Sequence, residues 1–227
     1  MAATTLSPPA PTRSRADWLV PAGLIVLSLV PAAAGSVRVA ELAGAAEATA
    51  ENARFFDAPI PVVAHVLAVV PYSILGALQF SPRLRRRGGR WHRRAGRALV
   101  PLGLVVAVSG LWMTFFYDLP RYDGELFGLL STMRIAVGLG MVGAILAGVS
   151  ALRDRDRSGH GAWMTRAYAL AMGAGTQVLT GAGLFIFTDD PDPLPRAISM
   201  GAGWAINLAV AERVIRRRPT APAAAVA

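Results

Sequence analysis

Two ionisable residues lie inside long apolar stretches of the sequence. His65 falls within residues 58–80 and Arg134 within residues 127–152, each about seven residues from one end of its stretch. An arginine near the centre of a bilayer costs about 2.5 to 3.5 kcal/mol on insertion scales, so such a residue faces a protein interior or a water-filled cavity. The pair therefore indicates an anion or proton site that opens to the outside of the cell. The alternative is structural, with Arg134 bonded to helix carbonyls and His65 packed as a neutral imidazole.

A second group of polar residues lies close to predicted helix ends, beside the arginine-rich connections. Its members are Gln79, His92, Arg93, Arg97, His160, Arg166 and Glu212. Two histidines on different helices can ligate the iron of haem b, with arginines paired to its propionates. Two histidines and one carboxylate suit a divalent cation, although the surrounding positive charge opposes a metal site. The remaining alternative is a solvated rim that binds anionic lipid headgroups.

The sequence lacks the residues or motifs of several common catalytic and binding sites. There is no cysteine, which excludes disulfides, thiolate metal sites and cysteine nucleophiles. The sequence contains no serine elbow, P-loop, dinucleotide-binding glycine turn or HExxH motif. The glycine-rich strings lie within apolar stretches, where close packing of helices explains them. Enzymatic activity is therefore neither indicated nor excluded.

The elements that position these residues are predicted membrane helices. The chain has 227 residues, 54% of them hydrophobic, and a mean hydropathy of +0.45, which indicates a membrane protein. We predict an all-α polytopic bundle of six transmembrane helices at about Trp18–Gly35, Ala58–Phe80, Ala98–Tyr117, Phe127–Leu152, Trp163–Phe187 and Ala197–Ala211. The second to fifth form its core. The first stretch also resembles a secretory signal peptide, but it is nearly long enough to cross a bilayer.

The arginines predict the orientation of the chain. Short connections rich in Lys and Arg stay in the cytoplasm. Of the 23 basic residues, all arginine, 18 fall in segments that a six-span chain with both termini inside places on the cytoplasmic side. We predict a protein of the cytoplasmic (inner) membrane with disordered tails at residues 1–16 and 218–227 and a membrane domain at 17–217. The net charge of +9 flanks apolar stretches, so we expect anionic lipid and no nucleic acid as partner.

Two predicted hairpins have similar features. His92 and His160 each precede, by five or six residues, an arginine at the foot of the following helix. His65 lies 27 residues before His92, and Arg134 lies 26 residues before His160. Parallel repeats of this kind occur in membrane transporters, and they would make the two deep residues equivalent. Chance similarity between two arginine-rich connections is the alternative.

A set of residues spread over the chain carries a family resemblance. The set comprises His65, Gln79-Phe80-x-Pro82-x-Leu84-Arg85, His92-Arg93-x-x-Gly96-Arg97, Arg134, His160-x-x-Trp163-Met164-x-Arg166-x-Tyr168, Trp204-x-x-Asn207 and Ala211-Glu212. On these residues the chain resembles the bacterial integral membrane family catalogued as domain of unknown function 2306, over roughly residues 20–217. The resemblance implies a multi-pass membrane protein and supplies no mechanism. It also adds Asn207 to the candidate site residues.

The sequence leaves three functional hypotheses. The first is a small-solute or proton carrier, or a sensor, with a polar intramembrane cavity near His65 and Arg134. The second is a membrane cytochrome that binds haem b through His92 and His160 and transfers electrons. A likeness to four-helix membrane cytochromes supports it at the level of fold alone, and His65 has no second histidine at its depth for another haem. The third is a structural component whose arginines hold lipid.

Overall fold

Every regular element in the described part of the chain is helical. The computed structural model describes residues 15–86, 89–118, 120–187 and 192–217. In these ranges the α-helices are α1 (Leu19–Ala40), α2 (Ala53–Asp57), α3 (Pro59–Gln79), α4 (Pro82–Arg86), α5 (Arg90–Phe116), α6 (Leu129–Arg153), α7 (Arg157–Ala171), α8 (Gly173–Phe187) and α9 (Pro193–Arg216). The predicted all-α class is therefore confirmed for these ranges. The predicted tails, 1–16 and 218–227, lie outside them except for residues 15 and 16.

Within the described ranges, four helical segments are long and apolar enough to cross a membrane. They are Leu19–Gly44, Pro59–Gln79, Arg90–Phe116 and Leu129–Arg153. These segments correspond to the first four spans predicted from the sequence, since each contains most of the predicted range. The chain is thus a membrane protein with several apolar helices.

Two of these helices differ in length from the prediction. The first does not end at Gly35: it continues through Ala40 into a π-helical turn, and Gly44 adopts a φ of +103° there. Glycine takes this left-handed conformation without the steric cost that other residues meet. The helix of the third predicted span, α5, begins at Arg90 rather than at Ala98. Arginine is a good helix former, so the helix continues past the apolar stretch.

The predicted fifth span consists of two helices. α7 and α8 have 15 residues each and meet at Met172, which belongs to neither. About 20 residues are needed to cross the hydrocarbon layer, so neither helix is long enough alone. α9 has 24 residues and covers the predicted sixth span.

The core of the bundle lies between α3, α5, α6 and α7. α3 packs against α5, α5 against α6, and α6 against α7, while α1 and α9 pack outside this group. The buried core residues are Ala68, Tyr72, Ala77, Val106, Ala107, Met141, Ala144, Ile145, Ala167, Tyr168, Leu170 and Met172. Large apolar side chains such as Ile60, Leu139 and Leu179 are exposed on the outer surface. Such a surface is expected of helices that face lipid.

A glycine brings α3 and α7 into direct contact. A methyl group on Gly76 would lie 2.2 Å from Cε2 of Tyr168, so the tyrosine ring lies against bare backbone. The Tyr168 hydroxyl donates a hydrogen bond to the Ser73 carbonyl at 2.7 Å. The ring also lies 5.9 Å from the Tyr72 ring and 5.3 Å from the Phe80 ring, between centroids. These contacts fill the centre of the bundle with aromatic side chains.

Hydrogen bonds between helices define two ends of the bundle. At one end the Gln79 amide donates to the His92 carbonyl at 3.3 Å, joining the end of α3 to the start of α5. We call it the arginine-rich end, because it also contains the end of α6, the start of α7 and the end of α9. At the other end, the Tyr117 hydroxyl donates to the Ala58 carbonyl at 2.6 Å. We call this second end the opposite end.

Candidate functional site

His65 is held between α3 and α5 by a serine. Its Nδ1 lies 3.0 Å from the Ser109 Oγ. The Ser109 hydroxyl directs its proton to the carbonyls of Val105 and Val106, at 2.5 and 3.2 Å. Because that proton is already used, we assign Nδ1 of His65 as the donor in its contact with Ser109. Nε2 is then the position at which a neutral His65 accepts a proton.

Arg134 binds a carboxylate, in contrast to the helix carbonyls of the structural alternative. Its guanidinium donates to Asp123 at 2.7 Å, and the Nε of Arg196 donates to the other carboxylate oxygen at 3.1 Å. Asp123 is only 6% exposed. It lies in a short 3₁₀ turn before α6, so the three side chains join this turn to α6 and α9 at the opposite end.

Asp123 was not predicted as a site residue. A lone arginine inside an apolar stretch signals that a counter-ion is close, because an unpaired charge there is costly. The sequence offers Asp118, Asp123 and Glu125 in the connection before α6. Helical spacing does not decide among them, because the connection is irregular. Arg196, which also binds Asp123, lies 73 residues away along the chain, so no local sequence pattern predicts this contact.

At the arginine-rich end the structure brings Arg166 and Glu212 together. The guanidinium of Arg166 donates two hydrogen bonds to the carboxylate, at 2.6 and 3.1 Å. Its guanidinium carbon, Cζ, also lies 4.7 Å from the centroid of the Trp163 ring. The hydrogen bond from Arg166 lowers the pKa of the Glu212 carboxyl from its ordinary value. This ion pair ties α7 to the end of α9.

The two histidines of this end have different surroundings. The Nδ1 of His160 lies 2.8 Å from the Gly148 carbonyl oxygen, which can only accept a hydrogen bond, so Nδ1 is the donor. At His92, instead, the backbone carbonyl accepts a hydrogen bond from the side-chain amide of Gln79. Arg93 and Arg97 are exposed on the first turns of α5. The contacts of the two hairpins therefore differ, and the predicted internal repeat stays a prediction.

In the described ranges, no three histidine, aspartate or glutamate side chains lie close enough to hold a metal ion. The predicted pair of histidines with one carboxylate is thus not assembled there. Glu212 instead neutralises Arg166. This is the expected outcome where arginines outnumber carboxylates, because a guanidinium and a carboxylate form a strong two-point contact.

Asn207 connects α9 to the junction of α7 and α8. Its side-chain amide donates to the Ala169 carbonyl at 3.2 Å, and its Oδ1 accepts from the Thr176 hydroxyl at 2.8 Å. Carbonyls in the last turn of a helix have no helical donor, so Asn207 supplies one to α7. Trp204 lies against Gly173, where a methyl group would be 2.1 Å from the indole. The Trp204-x-x-Asn207 motif therefore stabilises the interruption of the helix at Met172.

Further polar contacts follow Asn207 along the interface of α8 and α9. The Gln177 amide donates to the Met200 carbonyl at 3.0 Å, and the Thr180 hydroxyl donates to the Ser199 carbonyl at 2.8 Å. Neither Gln177 nor Thr180 was among the predicted site residues. A polar residue at spacings of three or four in an apolar helix is the signal that would have indicated them. Their role is to join the two helices.

Two buried polar atoms near the end of α3 have no hydrogen-bond partner in the described structure. They are Oε1 of Gln79 and the hydroxyl of Ser81, and Ser81 is fully buried. Most buried polar atoms in proteins are hydrogen-bonded to protein or ordered water. An exception of this kind needs a physical explanation, and a bound water molecule is the simplest one.

Two open depressions lie at the arginine-rich end. One is lined by Leu152, Arg155, Asp156, Arg157 and Ser158, and the other by Ala209, Glu212, Arg213, Arg216 and Arg217. Neither contains His65 or Arg134. These two residues are held by direct contacts with Ser109 and Asp123.

The helices and their apolar surfaces define an integral membrane protein with a helical bundle. A family model described as "Predicted membrane protein (DUF2306)" matches residues 62–215, and the chain belongs to this family. The matched region runs from α3 to α9. It confirms the family resemblance stated from the sequence. No curated protein and no solved structure matches the chain.

Proposed function

We propose that this protein carries protons across the cytoplasmic membrane along the interface of α3, α5 and α7. His65, Tyr72 and Gln79 are spaced seven residues apart, and at 100° per residue they share one face of α3. They lie about 10.5 Å apart along the helix axis at 1.5 Å per residue. The face therefore carries a polar group at the 7th, 14th and 21st residues of this 21-residue helix.

The observation that supports this proposal most is the pair of unsatisfied atoms where this face ends. Gln79 Oε1 and the Ser81 hydroxyl are buried without a described partner. A path for protons needs groups that accept and donate in turn, and water molecules fill the gaps between side chains. The unsatisfied atoms are suitable positions for such water molecules.

His65 is the titratable member of the proposed path. Imidazole is the side chain whose ordinary pKa lies closest to physiological pH, so it takes up and releases a proton readily. With Nδ1 on Ser109, a proton arrives at or leaves from Nε2. Arg134 takes no part in this path, because Asp123 holds it.

The proposed path requires an orientation in the membrane. We propose six spans, with the joined helices α7 and α8 as the fifth, α9 as the sixth and both termini in the cytoplasm. The asymmetric distribution of arginines supports this arrangement. Since the chain has no cysteine, single cysteines at Ser158 and Ala50 test it with a maleimide that does not cross membranes. In intact spheroplasts we expect labelling at Ala50 alone, and labelling at Ser158 alone would contradict the orientation.

Proton transport is tested in vesicles. The purified protein is reconstituted with a pH-sensitive dye inside, and a potassium gradient with valinomycin makes the interior negative. We expect proton entry above that of protein-free vesicles, strongly reduced in His65→Gln and reduced in Tyr72→Phe. Entry equal to protein-free vesicles, or full entry in His65→Gln, would overturn the proposal.

The matched control is the same substitution at the other hydrogen-bonded histidine. His160→Gln removes an imidazole that is bonded to the Gly148 carbonyl and lies off the proposed path. We expect wild-type proton entry in this variant. Equal loss in His65→Gln and His160→Gln, with both variants folded by size-exclusion chromatography, would show that His65 has no special role.

Haem b binding is the second candidate function, and one observation favours it. A histidine that ligates a metal usually donates its other ring nitrogen to a carbonyl or carboxylate, as His160 does to Gly148. His92 and His160 would hold the iron, and Arg93 and Arg97 would pair with the propionates. The bound haem would supply one-electron transfer.

An absorption spectrum tests this candidate. The protein is produced with added haem, purified in detergent and compared with a His92→Ala/His160→Ala double variant. A Soret band that disappears in the double variant would support the cytochrome. No band in the wild type, or an unchanged band in the variant, would exclude ligation by this pair.

A further inference from the structure

The last turn of α9 carries a cluster of exposed arginines. Arg213, Arg216 and Arg217 line an open depression of about 410 Å³ together with Ala209 and Glu212. The arginines are spaced at i, i+3 and i+4, so their side chains emerge from neighbouring positions on the helix. A guanidinium offers five N–H donors in a planar arrangement that fits the oxygens of a phosphate.

The carboxylate in this depression does not neutralise the cluster. Glu212 already accepts two hydrogen bonds from Arg166 of α7. Counted together, the four arginines and one glutamate leave a net charge of +3. The depression is therefore electrostatically suited to an anion.

An apolar stripe continues from the cluster along α9. Ile206, Val210 and Val214 are 48%, 57% and 45% exposed and are spaced four residues apart. At 100° per residue, Arg213 and Arg217 lie within about 20° of Ile206 around the helix axis, about two and three turns beyond it. Positive charge thus lies directly beyond an exposed apolar surface.

We propose that the end of α9 is a binding site for an anionic phospholipid. The phosphate group lies among Arg213, Arg216 and Arg217, and the acyl chains lie along Ile206 and Val210. A free phosphate ion would use the first contact without the second. The indole of Trp163, packed on Arg166, lies at the same end of the bundle, where aromatic rings commonly lie at the headgroup level of a membrane.

Lipid retention measured by native mass spectrometry tests the site. The full-length protein in mild detergent is mixed with equal amounts of phosphatidylglycerol and phosphatidylcholine. We expect preferential retention of phosphatidylglycerol by the wild type. The Arg213→Gln/Arg216→Gln/Arg217→Gln variant should lose on the order of 100-fold in affinity for it, because each arginine near a lipid surface contributes about 1 kcal/mol, and 1.4 kcal/mol is a factor of ten.

A second triple variant provides the control for charge. Arg153→Gln/Arg155→Gln/Arg157→Gln removes the same number of arginines at the same end of the bundle, beside the other depression. We expect it to retain phosphatidylglycerol as the wild type does. Equal losses in the two triple variants, or no loss in the α9 variant, would overturn the site.

Inorganic phosphate separates the two sources of the anion. Added at a large excess over lipid, it should leave most of the phosphatidylglycerol bound, because it lacks the acyl chains. Complete displacement by phosphate would show that the depression recognises the phosphate ion and not a lipid. An Ile206→Ser/Val210→Ser variant should weaken lipid retention, and unchanged retention would likewise contradict the acyl contact.

Discussion

The interface of α3 with α5 and α7 differs in kind from the interface of α9 with its neighbours. In the first, two buried polar atoms near its end have no described partner. In the second, Asn207, Gln177 and Thr180 each bond to a carbonyl or a side chain across the interface. Ion pairs hold both ends of α9.

This difference separates two roles for polar groups in a membrane protein. A polar side chain whose hydrogen bonds are complete joins helices, and its removal costs stability. A buried polar atom without a described partner is instead a position where a water molecule can bind, and bound water is what a path for protons requires. The α9 contacts therefore belong to the scaffold, while the polar face of α3 is the better candidate for activity.

The largest effect should come from Asp123, which anchors α9 at the opposite end. In Asp123→Asn the two guanidiniums lose their shared carboxylate and stay in a partly buried site. Removing one partner of a buried ion pair costs about 3 to 5 kcal/mol, and we expect about 3 kcal/mol because Arg134 and Arg196 remain partly exposed. Thermal unfolding in detergent measures this loss. Proton entry per folded molecule should be unchanged, and a selective loss of transport would break the separation of roles.

Gly76 should show the next largest effect, this time in the first interface. In Gly76→Ala the new methyl group would meet the Tyr168 ring at 2.2 Å, and the ring has to move. Overpacking of this kind costs about 1 to 3 kcal/mol. The shift also disturbs the Tyr168 bond to Ser73, so proton entry should fall together with stability. Gly143→Ala on α6 is the control, because no atom lies within 4 Å of the added methyl group.

Asn207 tests whether the interruption at Met172 depends on α9. In Asn207→Ala the Ala169 carbonyl and the Thr176 hydroxyl both lose a partner. Hydrogen bonds between membrane helices contribute about 0.6 kcal/mol on average and up to about 2 kcal/mol, so we expect a loss of about 1 kcal/mol. Asn207→Asp is informative beside it, since it keeps the acceptor and removes the donor. Equal stability of all three proteins would show that the junction does not need α9.

The sequence predicted the apolar framework more completely than the contacts within it. The first four spans follow directly from apolar length, and the deep positions of His65 and Arg134 follow from their place in those spans. The interruption at Met172 was missed because its signals, Gly173 and Gly175, resemble the many other glycines of membrane helices. The interruption is stabilised by Trp204 and Asn207, which lie more than 25 residues away in the sequence.

The candidate site was predicted in parts. The sequence predicted Arg166 and Glu212 at the same end of the bundle, and in the structure they form an ion pair. Asp123 was missed because a connection between helices has no periodicity from which a contact can be inferred. The seven-residue spacing of His65, Tyr72 and Gln79 can be read from the sequence. That spacing gains meaning only when α5 and α7 are seen to cover the same face.

The smallest effect should be the pH dependence of the tie between α7 and α9. Because Arg166 lowers the pKa of Glu212 in the folded protein, the folded state binds this proton less readily than the unfolded chain. The stabilisation is therefore fully present above the ordinary glutamate pKa, about 4.3, and is lost as pH falls through the lower pKa of the folded state. The pair is partly exposed to solvent, so its contribution is small. Unfolding temperatures between pH 3 and pH 7 in wild type and Glu212→Gln measure it. The two curves should converge in acid, and a constant difference at every pH would mean that packing, and not charge, holds α9 to α7.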